Sequence, residues 1–545
     1  MAADTDFDVI VIGAGFAGLH QLHRLRRDGW RVLVLEKAPA VGGTWYWNRY
    51  PGARCDIESF DYQFSFSSEL LDEWKWSERY AAGPEILAYL EFAAERLDLK
   101  RDIHLNTIVV STAYDESQNS WAVTTDDGRM LHATFVVMGV GNLSAIKQPD
   151  IPGLGDFGGQ WFHTAAWPQD PVDLTGKRVA VIGTGSSGIQ TITTIAPAVS
   201  RLYVLQRTPN YSMPAQNHVV SEQEWLEVMS GWPERRRLCE WSDAGTPLPP
   251  ATRAAVDVSS ADRDAEYEAG WQRGGISALS GAFTDMFVSE ESNAYAQEFA
   301  RRKIREIVTD PEVADRLSPR HHIGTRRTCV DTGYFETFNR ANVELVDLLS
   351  EPISRITPQG IELAGRELVV DVIIFAIGFD AITGALDQIR ITGRGGLELK
   401  QKWAEGPVSL LGLQTADFPN LFFITGPGSP SVLSNMVVSI EQHVDWIADA
   451  LSYLRSSGFA CIEPTPSAEA AWMEHVTALV NATLYPRADS WYLGMNIPGK
   501  PQVFTVYVAG CGPYRSECEQ VVAAGYRGFS LTNPLEPREA RTNEQ

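Results

Sequence analysis

The sequence has few cysteines, and none of them is placed for metal or redox chemistry. Six cysteines are spread over 545 residues, with no Cys-x-x-Cys pair and no cluster of cysteine with histidine. Zinc sites, iron–sulfur clusters and redox dithiols need such groupings. We therefore expect no metal centre, no disulfide-reducing activity, and reduced thiols of the kind found in cytoplasmic proteins.

Long apolar runs are also missing. No stretch of about 18 apolar residues occurs, which predicts no membrane span. The first apolar run, residues 9–12, is too short for the core of a secretory signal and follows no basic segment. The formal net charge of −23 disfavours nucleic acid and anionic membranes as partners, because polyanions would be repelled. Anionic cofactors would have to be held by local features such as helix N-termini and single arginines.

What is present is a strand–turn–helix–strand pattern that occurs twice. In the first copy, the apolar run 7–12 leads into a glycine-rich turn, leucines at helical spacing follow, and a second apolar run, 31–35, ends in Glu36. In the second copy, the runs 178–182 and 202–205 enclose a similar turn and helix. Each copy has the length and order of a parallel βαβ unit in a dinucleotide-binding fold.

Both turns match the Gly-x-Gly-x-x-Gly motif. The first glycine allows the sharp bend, the second lets a phosphate approach the backbone, and the third lets the helix pack close to the strand. The pyrophosphate then lies at the helix N-terminus. Two such motifs, each after a strand and before a helix, predict two bound dinucleotides. The motifs are Gly13-Ala14-Gly15-Phe16-Ala17-Gly18 and Gly183-Thr184-Gly185-Ser186-Ser187-Gly188.

The residue after the second strand distinguishes the two cofactors. Glu36 can accept hydrogen bonds from ribose hydroxyls and would repel a 2′-phosphate, so the first fold suits FAD. The second copy has Gln206, Arg207 and Thr208 at this place, and the Arg207 guanidinium can bind a 2′-phosphate at two points, which favours NADPH over NADH. Hydride from NADPH would pass to the flavin, and without a cysteine pair the electrons would go to an acceptor protein or to O2. These residues leave both outcomes open.

Two further segments give the chain a family resemblance. Residues 157–168 match the fingerprint Phe-x-Gly-x-x-x-His-x-x-x-Trp-Pro at every fixed position, and a second signature is formed by Gly42-Gly43-Thr44-Trp45, Tyr50-Pro51-Gly52 and Asp56. By these motifs the chain resembles the type I Baeyer–Villiger monooxygenases, flavoenzymes that convert ketones into esters or lactones. It is most similar to the phenylacetone, steroid and cyclohexanone enzymes. Related N- and S-oxygenating flavin monooxygenases have another residue at Trp167. For His163 and Trp167 we expect a structural or hinge role.

The resemblance implies an activity and two catalytic residues. FAD is reduced by NADPH, O2 adds at flavin C4a, and the resulting peroxyflavin attacks a hydrophobic ketone, cyclic, aromatic or steroid-like, to give an ester or lactone. Arg327 would stabilise the oxyanions, because an arginine stays protonated, and Asp56 would pair with it and orient it. The structural alternatives are a surface ion pair for Arg327 and a helix cap for Asp56.

The resemblance also assigns residues to the cofactors. Arg207, Thr208 and Arg326 would contact the 2′-phosphate, although the family usually has Lys in place of Arg326, and Trp491 would reach NADP⁺ from a loop. The expected cofactor-binding set is Gly13, Gly15, Phe16, Ala17, Gly18, Glu36, Gly43, Thr44, Trp45, Asp56, Tyr62, Val109, Asn142, Gly183, Thr184, Gly185, Ser186, Ser187, Gly188, Gln190, Arg207, Thr208, Arg326, Arg327, Met436 and Trp491.

The expected fold class is α/β, with two Rossmann-like dinucleotide-binding domains and a helical insertion in the NADP domain. Later strands are predicted at 369–377, 421–425 and 503–508, and a helix at 441–454. The expected domain segments are 1–142 and 381–545 for FAD, the latter ending in a flexible tail from Asn533, 143–214 and 324–380 for NADP, and 215–323 for the insertion.

Three functions are compatible with two dinucleotides. The first is a Baeyer–Villiger monooxygenase, the second an N- or S-oxygenating flavin monooxygenase, and the third an NADPH-linked reductase that serves a protein partner. The ketone cannot be read from the sequence, although Ser431, Val432, Leu433 and Met436 are expected to line an apolar pocket. The expected partners are the ketone and O2, and the sequence leaves monomer and homodimer open.

Overall fold

In a computed structural model of the chain, two large sheets organise the described residues, which are 5–495, 497 and 499–533. The predicted C-terminal tail lies outside these residues beyond Asn533. No helix within the described ranges is long and apolar enough to cross a membrane. The fold class predicted from the two βαβ patterns is confirmed.

The first sheet has eight strands and carries the first glycine motif. Its central strand pairs in parallel with a neighbour on each side, and both of its faces are covered, so Val9, Ile10 and Val11 are fully buried. An antiparallel meander extends it on one side. Its strands are β1 (Phe7–Ile12), β2 (Val32–Leu35), β3 (Ile103–His104), β4 (Val109–Asp115), β5 (Ser120–Thr125), β6 (Met130–Met138), β19 (Arg390–Thr392) and β20 (Leu421–Phe423).

The second sheet has five strands, and all of them are parallel. The predicted strands 178–182 and 202–205 lie side by side at its centre. The fingerprint segment supplies an edge strand, which pairs in parallel with Val372–Phe375. In order across the sheet, the strands are β13 (Val343–Asp347), β10 (Arg201–Gln206), β9 (Arg178–Ile182), β17 (Val372–Phe375) and β8 (Gln160–His163).

Four smaller sheets are formed by the described residues, and one of them lies where the chain passes between the two units. The chain passes between them twice, and the two passages pair as the short antiparallel strands β7 and β18. The smaller sheets are formed by β7 (Ala145–Ile146) with β18 (Phe379–Asp380), β11 (Ser212–Pro214) with β12 (Cys329–Asp331), β14 (Ile353–Thr357) with β15 (Gly360–Leu363) and β16 (Arg366–Val369), and β21 (Cys461–Pro464) with β22 (Phe529–Thr532).

Helices cover the sheets, and five of them lie in the segment 215–323, which was predicted as a helical insertion. The helices are α1 (Phe16–Arg27), α2 (Thr44–Trp47), α3 (Ser68–Glu73), α4 (Gly83–Arg96), α5 (Ser186–Ile195), α6 (Glu222–Ser230), α7 (Trp232–Trp241), α8 (Ser260–Arg273), α9 (Glu290–Ile307), α10 (Pro311–Leu317), α11 (Tyr334–Thr337), α12 (Leu399–Lys402), α13 (Met436–Ser457), α14 (Pro466–Asn481) and α15 (Cys511–Ala523).

Two strand predictions were wrong, because one predicted strand is absent and the other is shorter than expected. The apolar run 503–508 is no strand, because only two backbone hydrogen bonds, Gly428 to Thr505 and Tyr507 to Ser429, tie it to a neighbour, and it is buried as an irregular core segment. The run 369–377 is divided: Val369 ends β16, and only Val372–Phe375 enters the parallel sheet. The apolar runs correctly predicted that these segments are buried. Apolar side chains do not indicate which backbone N–H and C=O groups form hydrogen bonds with another strand.

Candidate active site

The first glycine motif forms a turn that fits a pyrophosphate. Gly13 has a φ of +105°, and a Cβ there would lie 2.5 Å from the carbonyl oxygen of Gly139. A Cβ on Gly18 would lie 1.7 Å from the carbonyl oxygen of Gly13, so the helix is packed tightly on the strand. Helix α1 begins after Gly15 with no side-chain cap and no acidic residue in its first turn. Its N–H groups therefore point to a space suited to an anion.

Glu36 lies where the first strand pair ends, as expected. Its carboxylate accepts hydrogen bonds from the backbone N–H of Ala14 at 2.6 Å and of Ala38 at 2.8 Å. Burial raises the pKa of this carboxyl above its ordinary value, and the two backbone donors act in the opposite direction. The contacts fix Glu36 beside the glycine turn, where its remaining lone pairs can accept ribose hydroxyls.

The second glycine motif has the same construction. Gly183 has a φ of +111°, and its Cβ would meet the carbonyl oxygen of Ala376 at 2.4 Å. A Cβ on Gly188 would lie 2.1 Å from the carbonyl oxygen of Gly183, whereas a Cβ on Gly185 would meet nothing within 4 Å. Helix α5 starts after Gly185 without a side-chain cap. The open space at Gly185 is a place for a ligand phosphate.

Cations with few acidic neighbours gather beside the second motif. Arg207 is exposed, and Arg326 is half-buried with its Nε lacking a hydrogen-bond partner among the described residues. Burial lowers the pKa of Arg326 and the charge of Arg207 lowers it further, whereas the carboxylate of Asp489 acts in the opposite direction. The pKa of Lys147 is lowered by burial and by the charge of Arg207. A bound dianion would relieve this repulsion, so the residues fit the 2′-phosphate of NADPH. Nothing in the sequence around Lys147 pointed to it.

Arg327 and Asp56 form the ion pair expected from the resemblance. The Nε and Nη2 of Arg327 donate to the two carboxylate oxygens of Asp56 at 2.8 and 2.9 Å, and Nη1 donates to the carbonyl oxygen of Val432 at 2.5 Å. Burial alone would lower the pKa of Arg327, but the carboxylate of Asp56 outweighs it, so the pKa lies above its ordinary value. The guanidinium is thus a fixed cation, which excludes the alternatives of a surface pair and a helix cap.

Two ionisable side chains near the Arg327–Asp56 pair are buried and held in their neutral form. Burial raises the pKa of the nearby Tyr492 hydroxyl to about 12, and it also raises the pKa of the Cys55 thiol. Tyr492 follows Trp491, and their ring centroids lie 4.3 Å apart. The motif analysis singled out Trp491 and missed Tyr492, although the two are adjacent. Burial lowers the local dielectric constant, which strengthens the electrostatic interactions of the Arg327 guanidinium.

The remaining residues expected at the flavin come from several elements of the chain. The indole N–H of Trp45 donates to the Tyr62 hydroxyl at 3.3 Å, and the Tyr62 ring stands edge-on to Phe16 at 5.1 Å. Asn142 donates to the Ser431 hydroxyl at 2.8 Å. Val109 is buried in the core of the first sheet, two residues after Thr107, whose backbone N–H donates to the carbonyl oxygen of Glu36 at 2.9 Å. Of the others, Ala17 lies in α1, Gly43 and Thr44 form the start of α2, and Met436 opens α13.

Residues expected at NADP also connect the two units. The Tyr50 hydroxyl donates to the side-chain oxygen of Gln190 at 2.8 Å, and the Gln190 amide donates to the carbonyl oxygen of Arg54 at 3.1 Å. At the motif itself, the Thr184 hydroxyl donates to the carbonyl oxygen of Thr208 at 3.2 Å. The loop that ends in Asp56 is therefore fastened to helix α5. Ser186 and Ser187 form the first turn of that helix.

The fingerprint residues lie in the second sheet and not beside Arg327. His163 ends β8 and accepts a hydrogen bond from the backbone N–H of Ala165 at 3.0 Å. Trp167 is buried in the core of this unit and packs against Phe162 at 5.1 Å. Both positions agree with a structural role.

The comparisons with known proteins agree with this geometry. A family model described as pyridine nucleotide-disulphide oxidoreductase matches residues 10–227. A Baeyer–Villiger monooxygenase from Pseudooceanicola batsensis is 41% identical over 96% of this chain and 95% of its own length. The chain belongs to the Baeyer–Villiger monooxygenase family. Like the relatives it resembles, this family member is an FAD- and NADPH-dependent flavoprotein monooxygenase, and the disulphide in the broader description has no counterpart in its six buried, free cysteines.

Solved structures of the family have the same fold. An oxidized steroid monooxygenase bound to NADP is 49% identical, covers 97% of this chain and 99% of its own, and superimposes with a TM-score of 0.93. The complex of the protein named OTEMO with FAD and NADP is 39% identical, covers 97% and 100% of the two chains, and has a TM-score of 0.94. A phenazine N-monooxygenase from Lysobacter antibioticus is also similar, with 40% identity over 97% of each chain. Membership of this family therefore does not by itself fix which atom of a substrate is oxygenated.

The glycines of the second motif allow a matched test of their separate roles. Gly188→Ala should destabilise the protein, because its Cβ would overlap a backbone carbonyl and overpacking costs about 1–3 kcal/mol or more. Gly185→Ala should leave the melting temperature unchanged and weaken NADPH binding, because its Cβ meets only the space meant for the phosphate. Thermal unfolding and NADPH titration measure the two effects. Equal melting temperatures for the two variants would contradict this division of roles.

Proposed function

We infer that this protein inserts one oxygen atom of O2 into a hydrophobic ketone, with Arg327 and Asp56 as its catalytic pair. The single observation that carries the proposal is the Arg327 guanidinium, whose three nitrogens donate to Asp56 and Val432 in a largely buried site. Such a cation stabilises negative charge on oxygen and does not give up its proton. The overall reaction is ketone, O2, NADPH and a proton to ester or lactone, NADP⁺ and water.

The chain's own residues hold the two cofactors. Glu36 and the first glycine motif bind the FAD ribose and pyrophosphate, and Arg207, Arg326, Lys147 and the second motif bind NADPH. When bound, these cofactors supply the hydride and the flavin ring at which O2 is activated. Trp491, whose ring packs against the buried Tyr492, would contact NADP⁺, as the resemblance implies. Because these residues come from both units, O2 chemistry proceeds away from bulk water only when the units are held together.

The division of the chain follows from this assignment. Strands of the first sheet come from 7–138 and 390–423, and those of the second from 160–206 and 343–375. This supports an FAD domain of 1–142 and 381–545 and an NADP domain of 143–214 and 324–380 with the insertion 215–323. The six free cysteines are in keeping with the reducing cytoplasm.

We assign substrate selectivity to residues 431–436, because the carbonyl oxygen of Val432 in this segment binds Arg327. Ser431 and Val432 are buried, and Leu433 and Met436 are partly buried at the edge of the large core. Since one carbonyl of this segment binds Arg327, a ketone near the guanidinium would lie against these apolar side chains.

The experiment is a substrate panel under air with NADPH. We expect hydrophobic cyclic and aromatic ketones to give esters or lactones, identified by mass spectrometry, with one NADPH consumed for each product. N-Heteroaromatic and sulfide substrates belong in the same panel because of the similarity to a phenazine N-monooxygenase. N-Oxides or sulfoxides without any ester would favour the second candidate. NADPH oxidation that requires an added electron acceptor and yields no oxygenated product would favour a reductase.

A further inference from the structure

An ion network outside the cofactor motifs lies directly behind the catalytic pair. Helix α7 of the insertion reaches across to the loop that carries Asp56, and its Arg235 donates to both carboxylate oxygens of Asp61 at 2.7 and 2.6 Å. The same guanidinium donates to Glu58 at 2.9 Å. The Asp61 side chain is 2% exposed and that of Arg235 is 20% exposed. Burying charged side chains costs free energy unless they are paired. A function of this network would therefore account for its burial.

The loop from Asp56 to Asp61 is short and closed on itself. The backbone N–H of Asp61 donates to the carbonyl oxygen of Glu58 at 3.0 Å, and Glu58 also accepts from Arg79 at 2.6 Å. The two acidic side chains clamped by Arg235 therefore belong to a single turn that begins two residues after Asp56. Movement of this turn would carry the Asp56 carboxylate with it.

The second acceptor of Arg327 is anchored at the same place. Asn435 caps helix α13, three residues after Val432, and its side-chain amide donates to the backbone carbonyl of Asp61 at 2.7 Å. Both acceptors of Arg327, the Asp56 carboxylate and the Val432 carbonyl, are thus tied to Asp61. Arg235 holds the side chain of that residue, and Asn435 holds its backbone.

We propose that Arg235 is a positioning residue, which holds Asp61 and Glu58 so that Asp56 and Val432 keep the Arg327 guanidinium in place during oxygen transfer. This inference rests on the proposed role of Arg327. The insertion helix would then belong to the oxygenating site through its contact with the loop, although none of its residues touches Arg327. Preorganised supports of this kind matter because a shift of about 1 Å in a catalytic group can cost about a hundredfold in rate.

The test compares Arg235→Met with Arg237→Met. Arg237 lies two residues away on the same helix, is exposed, and pairs with Glu234 on that helix. In Arg235→Met we expect the fraction of NADPH converted to ester to fall about tenfold, with hydrogen peroxide formed instead. FAD content, NADP⁺ affinity and the rate of flavin reduction should stay close to the wild-type values. Arg237→Met should behave as wild type in every measurement.

A second variant covers the case in which Arg235→Met binds no FAD. Arg235→Lys keeps the positive charge but cannot span Asp61 and Glu58 with a planar fork, so it should fold and show an intermediate fall in coupling. A crystal structure of either variant should show the Arg327 guanidinium detached from Asp56 or Val432. Unchanged coupling and an unchanged Arg327 in Arg235→Lys, together with a folded Arg235→Met that is equally coupled, would overturn the proposal. If the wild type makes no ester at all, the proposed function fails, and the position of the Arg327 guanidinium in the variant crystal structures then decides whether Arg235 holds it in place.

Discussion

Arg327→Ala should abolish oxygen transfer while leaving flavin reduction intact. The guanidinium donates to Asp56 and to Val432, and it is the cation that we propose for the oxygenating step. Loss of one such stabilising group costs about 100- to 1000-fold in turnover. We therefore expect ester formation to fall by at least about 100-fold. NADPH would still reduce the flavin, and the electrons would leave as hydrogen peroxide, so stopped-flow reduction and peroxide assays should separate the two steps.

The unpaired carboxylate left behind by this substitution needs its own control. Arg327→Ala leaves Asp56 partly buried without a counter-ion, which could destabilise the site for reasons other than catalysis. The double variant Asp56→Asn with Arg327→Ala removes that charge, and it should be as inactive in oxygenation as the single variant. Ester produced at the wild-type rate by either variant would refute the catalytic role of Arg327.

Replacing both Arg207 and Arg326 by Ala should remove the preference for NADPH. Each guanidinium can make charge-assisted hydrogen bonds to the 2′-phosphate, and a bond of this kind contributes about 1.5–3 kcal/mol. The KM for NADPH should rise about 100-fold or more, whereas the KM for NADH should change little, since NADH lacks the phosphate. Steady-state kinetics with the two cofactors measure the ratio.

Arg320→Ala is the matched control for this double variant. Arg320 lies six residues before Arg326, its side chain is 81% exposed, and it makes a long ion pair with Asp315 at 3.5 Å. Its removal should change neither KM. A parallel rise in the KM values for both cofactors in the double variant would show that the arginines support the fold of the site and not recognition of the phosphate.

The parts of the site that depend on local sequence could be predicted well. The glycine motifs specify a turn by their own backbone requirements, and Glu36 and Arg207 each follow the second strand of a βαβ unit, so a few neighbouring residues define the position and its charge. The strand at 503–508 could not be predicted correctly for the opposite reason. Its side chains are apolar because they are buried, but whether a buried segment joins a ladder depends on a neighbour elsewhere in the chain.

The sequence by itself determined that this protein has two dinucleotide folds, which cofactor suits each, and to which flavoprotein family its motifs belong. Only the tertiary structure decided how the catalytic group is assembled. Arg327 and Asp56 are 271 positions apart, and Arg235 and Asp61 are 174 apart. Pairs so distant have no spacing rule, because their contact arises when packing of the two sheets and the insertion brings the elements together. The charge and geometry of that contact, and not a local sequence pattern, fix the position of the Arg327 guanidinium at the proposed site of oxygen transfer.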